Sequence, residues 1–291
     1  MEDVLILGSG PAGVSAALYT ARAGLRTLIV TRGGGALVKT GRVGNYYGFA
    51  EPISGEDLLK NGEEQAALAG ARFVREEAVG AAWDGGRFTV RTAANEYRAP
   101  FLVLATGAAR RAPDLPGLAR FEGCGVSYCA VCDAFFYRGK PVAVLGGGAY
   151  ALHEAAELRS AASRVAVLTD GAEPSVPFPE EFEVCTAKIA GLYGDAALRG
   201  VRFADGTSLE AAGLFVALGV AGGTDLARKL GAEIRGTAVA TDERRRTNVP
   251  GLYAAGDCAG GLLQIAKAVC DGAVAGTSVV REFRASRKNQ K

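Results

Sequence analysis

The stretch "VLILGSGPAGVSAALYTARAGLRTLIVT", residues 4–31, decides the fold. "VLIL" is an unbroken apolar run, as expected of a strand buried on both faces, and it stops at Gly8. From Pro11 the small and apolar residues take helical spacing, and "TLIVT" resumes as a strand at Thr27. This order is a strand–helix–strand unit with a glycine turn at its first junction. Gly8, Gly10 and Gly13 stand in the pattern GxGxxG. One glycine permits the tight turn, one lets a pyrophosphate approach the backbone, and one lets the helix pack closely on the strand. The positive end of the helix faces the phosphates, so "GSGPAG" predicts a dinucleotide site. The acid expected at the end of the second strand to hold a ribose is missing, because "LIVTRGG" offers Thr31 and Arg32 there.

The same grammar returns in "PVAVLGGGAYALHEAAELRSAASRVAVLTD", residues 141–170. A strand over Val142 to Leu145 meets the turn Gly146 to Gly148, a helix runs to about Ala161, and a strand follows over Val165 to Leu168. Between the two units, "RFTVRT" and "EYRAPFLVLATGAA" read as strands; after the second come a hairpin and strand in "VRFADGTSLEAAGLFVALG". The chain then closes on "TNVPGLYAAGDCAGGLLQIAKAVCDGAVAG", a strand and a helix, the latter from the spacing of Leu262, Leu263, Ala266, Val269 and Ala273. A lone strand and helix cannot form a domain, so they return to complete the first one. The expected fold class is α/β, with two nested Rossmann-like (three-layer ββα) dinucleotide-binding domains, the second inserted in the first. The first comprises residues 1–112 and 243–291 and the insert residues 113–242, with hinges at "RAPDLPG" and "DERRRTNVPG".

A chain of 291 residues exceeds the usual domain of about 100–200 residues, in keeping with two domains. Its 41 glycines form neither a collagen-like period nor a Gly/Ser tract, so they serve turns and close approaches. A net charge of +2 with interspersed signs excludes a nucleic-acid stripe or a membrane-binding patch. "MEDVLILGSGPAG" is the wrong build for a signal peptide, and no apolar run reaches the about 18 residues of a membrane span. A soluble, cytoplasmic protein is expected. The cysteines at 124, 129, 132, 185, 258 and 270 are too scattered for a secreted disulfide scaffold. Cys124, Cys185 and Cys270 are expected in the core and Cys258 at a buried strand end, none with chemistry.

"CAVCD" is the sharpest chemical signal. Cys129 and Cys132 are close enough for a short disulfide loop, and a helix starting near Cys129 would favour a thiolate over the ordinary thiol pKa of about 8.5. Asp133 stands where a carboxyl group exchanges protons with sulfur. The rival reading is half of a zinc site, which needs two further ligands; no second CxxC or CxxH exists, and His153 is the only histidine. No metal is expected, and His153 reads as a helix-face residue. "YAAGDCAGG" offers Asp257 to a sugar-alcohol hydroxyl and a helix N-terminus to the pyrimidine edge of a flavin, which favours FAD at the first site. The plain alternative is a strand–turn–helix with Asp257 as N-cap.

Taken together, these motifs resemble the low-molecular-weight thioredoxin reductases, FAD proteins of the pyridine nucleotide-disulfide oxidoreductase class. The resemblance runs almost end to end, through "GSGPAG", "NYYGF", "ATGA", "YCAVCDAFFYRGKPVAVLGGG", "LFVALG" and "GLYAAGDC". It implies that FAD is held by Gly8, Gly10, Pro11, Ala12, Gly13, Arg32, Asn45, Thr106, Gly107, Gly256, Asp257, Gln264 and Ile265. It implies a flavin-facing Cys132, a Cys129 that attacks the partner disulfide, Asp133 as acid/base, a thioredoxin-like partner and a homodimer. Two departures stand out. Where NADPH-using members carry an arginine-rich clamp for the 2'-phosphate, this chain reads "VLTDGAEPSVP", and a carboxylate beside a phosphate is repulsive. Asp170 lies 24 positions after Gly146, near the about 20-residue offset of an acid that binds an unphosphorylated ribose. Gly146, Gly148 and Asp170 therefore form a candidate NADH site, while the short segment after Asp170 points to an insert without nicotinamide, NAD(P)H use being open. Some members without the clamp take electrons from ferredoxin. The second departure is Leu263-Gln264-Ile265, where the family commonly has Arg-Gln-Ala. The expected activity is flavin-dependent reduction of a thioredoxin-like protein with ferredoxin or NADH as donor; the alternatives are a dithiol oxidase using oxygen and a non-enzymatic flavin redox sensor.

Overall fold

The computed structural model describes residues 1–33, 35–107, 113–219 and 222–288. Val4–Leu7, Thr27–Thr31 and Phe101–Leu104 are fully buried runs, which only a parallel sheet covered on both faces accommodates. They pair in register, Val4 opposite both Thr27 and Phe101, in a parallel sheet ordered Leu252–Ala254, Phe101–Leu104, Val4–Leu7, Thr27–Thr31, Arg72–Arg75. The last strand among the described residues, Leu252–Ala254, thus pairs with Phe101–Leu104 from before the second unit. Helices Pro11–Arg22 and Ile265–Lys288 share a core with this sheet that includes Ile6, Ile29, Val103, Ala16 and Val279. An antiparallel sheet, Ala78–Trp83, Phe88–Thr92 and Glu96–Ala99, completes the unit.

The second unit repeats the plan. Its parallel sheet is ordered Glu183–Cys185, Arg164–Leu168, Pro141–Leu145, Gly213–Val216, Val126–Ser127, with helix Ala149–Arg159 following the second glycine turn. A three-stranded antiparallel sheet, Ile189–Gly194, Leu198–Phe203 and Ser208–Glu210, joins it through a core of Leu145, Leu168, Val201 and Leu214. The molecule is a mixed α/β protein of two Rossmann-like domains, one nested in the other.

Three expectations are corrected. Contacts group residues 1–110 with 222–291 and, separately, 111–221, so the chain returns to the first unit about twenty residues before 243. The reason is that helix Gly223–Lys229 packs on strand Ala78–Trp83 of the first unit. "DERRRTNVPG" lies inside that unit, where Arg246 bridges to Tyr253, and is no hinge; of the other expected hinge, Arg111 and Ala112 lie outside the described residues, as does Ala108 of "ATGA". The last helix begins at Ile265, so Leu262 and Leu263 precede it and are exposed. The first half of its buried face carries the small residues Ala268, Gly272, Ala275 and Gly276, of which Gly272 and Gly276 lie against the backbone of the first helix, and Val279 and Val280 follow in the core. A Cβ on Gly272 would stand 2.1 Å from the Ala12 carbonyl oxygen, and one on Gly276 2.6 Å from that of Ala16.

Gly272→Ala is therefore expected to lower stability by about 1–3 kcal/mol, because the colliding atom is backbone and cannot swing aside. Urea unfolding measures it, and a loss below about 0.5 kcal/mol, the scale of an ordinary surface substitution, would refute the close packing.

Candidate functional site

The first unit's glycine turn is shaped by backbone contact on two sides. Gly8 has φ +104°, and a Cβ there would sit 2.4 Å from the Ala105 carbonyl oxygen; one on Gly13 would sit 1.9 Å from that of Gly8. Gly10 differs, since nothing lies within 4 Å of its Cβ direction. The first helix starts at Pro11 behind it, with no acidic residue in its first turn and no side chain capping its free N–H groups. This is an open cradle for a pyrophosphate. Beside it Ser9 Oγ and Thr31 Oγ1 are hydrogen-bonded at 3.0 Å, and Thr31 Oγ1 accepts the Gly33 N–H at 2.9 Å. Arg32 is exposed with Nη1 3.7 Å from Glu77 Oε2, so an acid absent from the local sequence arrives from a neighbouring segment. Thr106 Oγ1 is buried without a hydrogen-bond partner, as a residue that receives a ligand would be. Gly107 follows it with φ +80°.

Two segments far apart in sequence meet at the start of the last helix. Asn45 Nδ2 donates to Gln264 Oε1 at 3.0 Å, across 219 positions. Ile265, the first residue of that helix, lines a cavity of about 350 Å³ with Pro11, Val14, Tyr46, Phe49 and Val269. Asp257 sits in the turn Gly256–Ala259, well before Ile265, so it does not cap the helix and the plain N-cap reading falls. The turn is held from behind by charges that the sequence reading missed. Asp271, 1% exposed, accepts the Gly256 N–H at 3.1 Å and pairs with Lys267 and Arg245, each at 2.7 Å. The i,i+4 pair Lys267–Asp271 was a signal available in the sequence. An open cradle, an orphaned threonine hydroxyl and a free helix start fit FAD.

In the second unit Cys129 and Cys132 are joined by a disulfide. Cys129 caps a single helical turn, Ala130–Asp133, which passes directly into a tighter turn over Ala134–Tyr137. So short a helix contributes less to thiolate stability than the sequence implied; direct hydrogen bonds take its place. Cys129 Sγ accepts the Cys132 N–H at 3.2 Å. Ser127 Oγ accepts the Cys129 N–H at 3.1 Å and donates to Asp133 Oδ2 at 2.7 Å, which fixes the proposed acid beside the sulfurs. The buried carboxylate of Glu154 reaches across from helix Ala149–Arg159 to accept the Ala130 N–H at 2.8 Å. Cys129 is buried and Cys132 exposed. Around them Val131, Phe135 and Phe136 stand in solvent, the two rings 71% and 67% exposed. His153 lies on the same helix as Glu154, with Nε2 3.8 Å from Glu157.

The second glycine turn copies the first at its base and departs from it at its mouth. A Cβ on Gly146 would lie 2.3 Å from the Ala217 carbonyl oxygen, the counterpart of Gly8 on Ala105. The mouth is filled by the segment after Asp170. Ser175 donates its N–H to the Gly147 carbonyl at 2.7 Å and its hydroxyl to the same oxygen at 3.1 Å, and Pro174 Cα lies 3.2 Å from the Cβ direction of Gly147. Gly148 faces Ser175 Oγ at 3.4 Å, where Gly10 faces open space. Both oxygens of Asp170 are engaged, Oδ1 by the Ile189 N–H and Oδ2 by Lys188 Nζ, each at 2.8 Å. Asp170 takes a left-handed backbone, φ 52°, to make this turn.

Of the remaining cysteines, Cys258 is buried as expected and burial pushes its thiol up to about 11. Cys124 and Cys270 are exposed rather than core residues, and Cys185 is half-buried; each borders a turn or an outward helix face. Among the described residues no helix is long and apolar enough to cross a membrane.

Comparison with known proteins agrees with this geometry. The profile of the family described as pyridine nucleotide-disulphide oxidoreductase matches residues 2–272. A thioredoxin reductase of Aquifex aeolicus is 36% identical over 274 residues, 88% of this chain and 84% of that protein. The crystal structure of the atypical thioredoxin reductase from Desulfovibrio vulgaris Hildenborough is 41% identical and superimposes with a TM-score of 0.93, over 98% of this chain and 99% of that one. A ferredoxin-flavin thioredoxin reductase from Clostridium acetobutylicum matches at 28% identity and a TM-score of 0.74, over 98% of each chain. With a redox disulfide on one Rossmann-like unit and an open glycine cradle on the other, this chain belongs to the pyridine nucleotide-disulphide oxidoreductase family, as a flavoprotein oxidoreductase of the low-molecular-weight thioredoxin reductase type.

Proposed function

We propose that the protein reduces a thioredoxin-like protein through FAD and the Cys129–Cys132 disulfide, and that its electrons come from a donor other than NADPH, ferredoxin before NADH. The observation that carries the reading is the contrast between the two glycine turns: Gly10 opens on a free cradle, whereas Gly147 and Gly148 face Pro174 and Ser175. A dinucleotide needs the space those residues fill. Asp170, the candidate ribose acid, is already committed to Lys188 and Ile189. The ferredoxin-flavin relative supplies the donor class.

Gly8, Gly10, Pro11, Ala12 and Gly13 hold the pyrophosphate in this reading, Thr106, Gly107, Gly256 and Asp257 the sugar alcohol, and Asn45, Gln264 and Ile265 the ring end, with Arg32 at the adenosine side. The reduced flavin, when bound, would supply an electron pair to the disulfide, which with one proton from solvent leaves Cys129 as a thiolate and Cys132 as a thiol. The resulting Cys129 thiolate is stabilised by the Cys132 N–H, since a hydrogen bond to the charged form favours it. Cys129 attacks the partner's disulfide; the leaving thiolate takes its proton from Asp133, which Ser127 orients. Cys132 then resolves the mixed disulfide: its sulfur bonds to Cys129, its proton passes to the partner's second departing sulfur, and the partner leaves as a dithiol with the Cys129–Cys132 bond restored. The exposed Val131, Phe135 and Phe136 give the partner an apolar seat beside the sulfurs.

Two measurements check this. In anaerobic titrations the oxidised protein's flavin absorbance should bleach with reduced ferredoxin and stay unchanged with NADPH; bleaching by micromolar NADPH sinks the donor assignment, and turnover with a small dithiol and oxygen alone marks a dithiol oxidase. Cys132→Ser should trap a mixed disulfide between Cys129 and oxidised thioredoxin on non-reducing gels, while Cys129→Ser traps none. The opposite pattern reverses the roles of the two sulfurs.

A further inference from the structure

The turn from Gly256 to Gly261 has little of its own to hold it. Gly256, Gly260 and Gly261 all have positive φ, 78°, 71° and 80°, so the segment carries the conformational freedom of three glycines on either side of Asp257. One side chain spans it. Lys267 Nζ, from the first turn of the last helix, donates to the Gly256 carbonyl at 2.9 Å and also to the Gly260 carbonyl, closing the turn at both ends. The same ammonium pairs with Asp271, which accepts the Gly256 N–H and is held on its other oxygen by Arg245. Arg245 adopts φ 62° to reach this position, while its carbonyl accepts the Ala254 N–H at 3.1 Å from the strand leading into the turn. A left-handed arginine and a buried carboxylate with two cations are expensive features, and together they hold Gly256 by its N–H and its carbonyl and Gly260 by its carbonyl, on either side of Asp257.

We propose that Lys267, braced by Asp271 and Arg245, is the positioning residue of the flavin site: it locks the glycine turn in the conformation that presents Gly256 and Asp257 to FAD. The inference rests on the reading that the first unit binds FAD. It follows from preorganisation. A turn that is already ordered loses little entropy when the ligand arrives, and one released from its clamp must be ordered by the ligand.

The test is FAD affinity, measured by quenching of flavin fluorescence as FAD is titrated into apoprotein, with far-UV circular dichroism and the apoprotein's Tm as controls. Lys267→Met should raise the Kd for FAD by at least about tenfold with circular dichroism unchanged, and Lys267→Arg, which keeps charge and donors, should recover most of it. A Met variant that binds FAD as tightly as wild type, or one whose only change is a lower Tm, overturns the proposal. Should the Met variant fail to fold, Lys267→Gln, which keeps one donor and loses the charge, takes its place under the same criterion. Wild-type apoprotein that does not bind FAD at all overturns the FAD reading and the clamp with it, a result distinct from tight binding by both proteins.

Discussion

The first helix is wedged between backbone on two sides, and the rest of the FAD-type unit is arranged around that wedge. On one side Gly13 rests on the Gly8 carbonyl; on the other Gly272 and Gly276 of the last helix rest on the carbonyls of Ala12 and Ala16. Contacts this close exclude even a methyl group, so they fix the helix start relative to the strand end without large side chains. The open space at Gly10 exists because its neighbours are held so tightly. The same wedge brings in the last helix, whose start at Ile265 lies beside Pro11 and Val14 and whose Lys267 and Asp271 stand behind the Gly256 turn. A segment from the end of the chain is thereby made part of a site begun by its first dozen residues.

Comparing the two glycine turns separates what a GxGxxG pattern does for a fold from what it does for a ligand. Gly8 and Gly146 make the same contact, with the carbonyl at the end of the adjoining strand, and neither tolerates a Cβ. That glycine is a packing requirement of the strand–helix junction, and it persists whether or not anything binds. The surroundings of the middle glycine carry the information about ligand, and these differ: open at Gly10, filled by Ser175 at Gly148. The filling segment is anchored by Ser175 on Gly147 and by Asp170 on Lys188 and Ile189, so it is a bonded part of the domain.

The elements that were legible in the sequence are those whose signal is local. Val4–Leu7 and Thr27–Thr31 appear at the residues their apolar runs marked, because a strand buried on both faces has nothing but apolar runs. The Cys129–Cys132 pair was legible from spacing alone. What escaped was non-local. The last helix was expected to bury its leucines, but it packs glycines on backbone and buries alanine, Val279 and Val280, leaving Leu262 and Leu263 outside. Asp170 was legible as an acid at the right offset, yet offset says nothing about Lys188, which neutralises it from a neighbouring segment. Ser127, Glu154 and Arg245 gave no pattern, since each acts through hydrogen bonds or an ion pair set by the tertiary fold.

The redox centre obeys a related logic of enclosure. Cys129 is buried and carries the hydrogen bond that suits a thiolate, whereas Cys132 is exposed and donates it. Cys129 is thus the sheltered sulfur of the disulfide and Cys132 the accessible one. The exposed rings of Phe135 and Phe136 follow the helical turn directly, on the same short segment as both sulfurs. The apolar surface and both sulfurs thus belong to a few residues of continuous chain, and Ser127 and Glu154 pin the start of that segment from two directions. Disulfide exchange is the same chemistry at every disulfide, so what distinguishes this centre is the surface that the segment presents around its sulfurs.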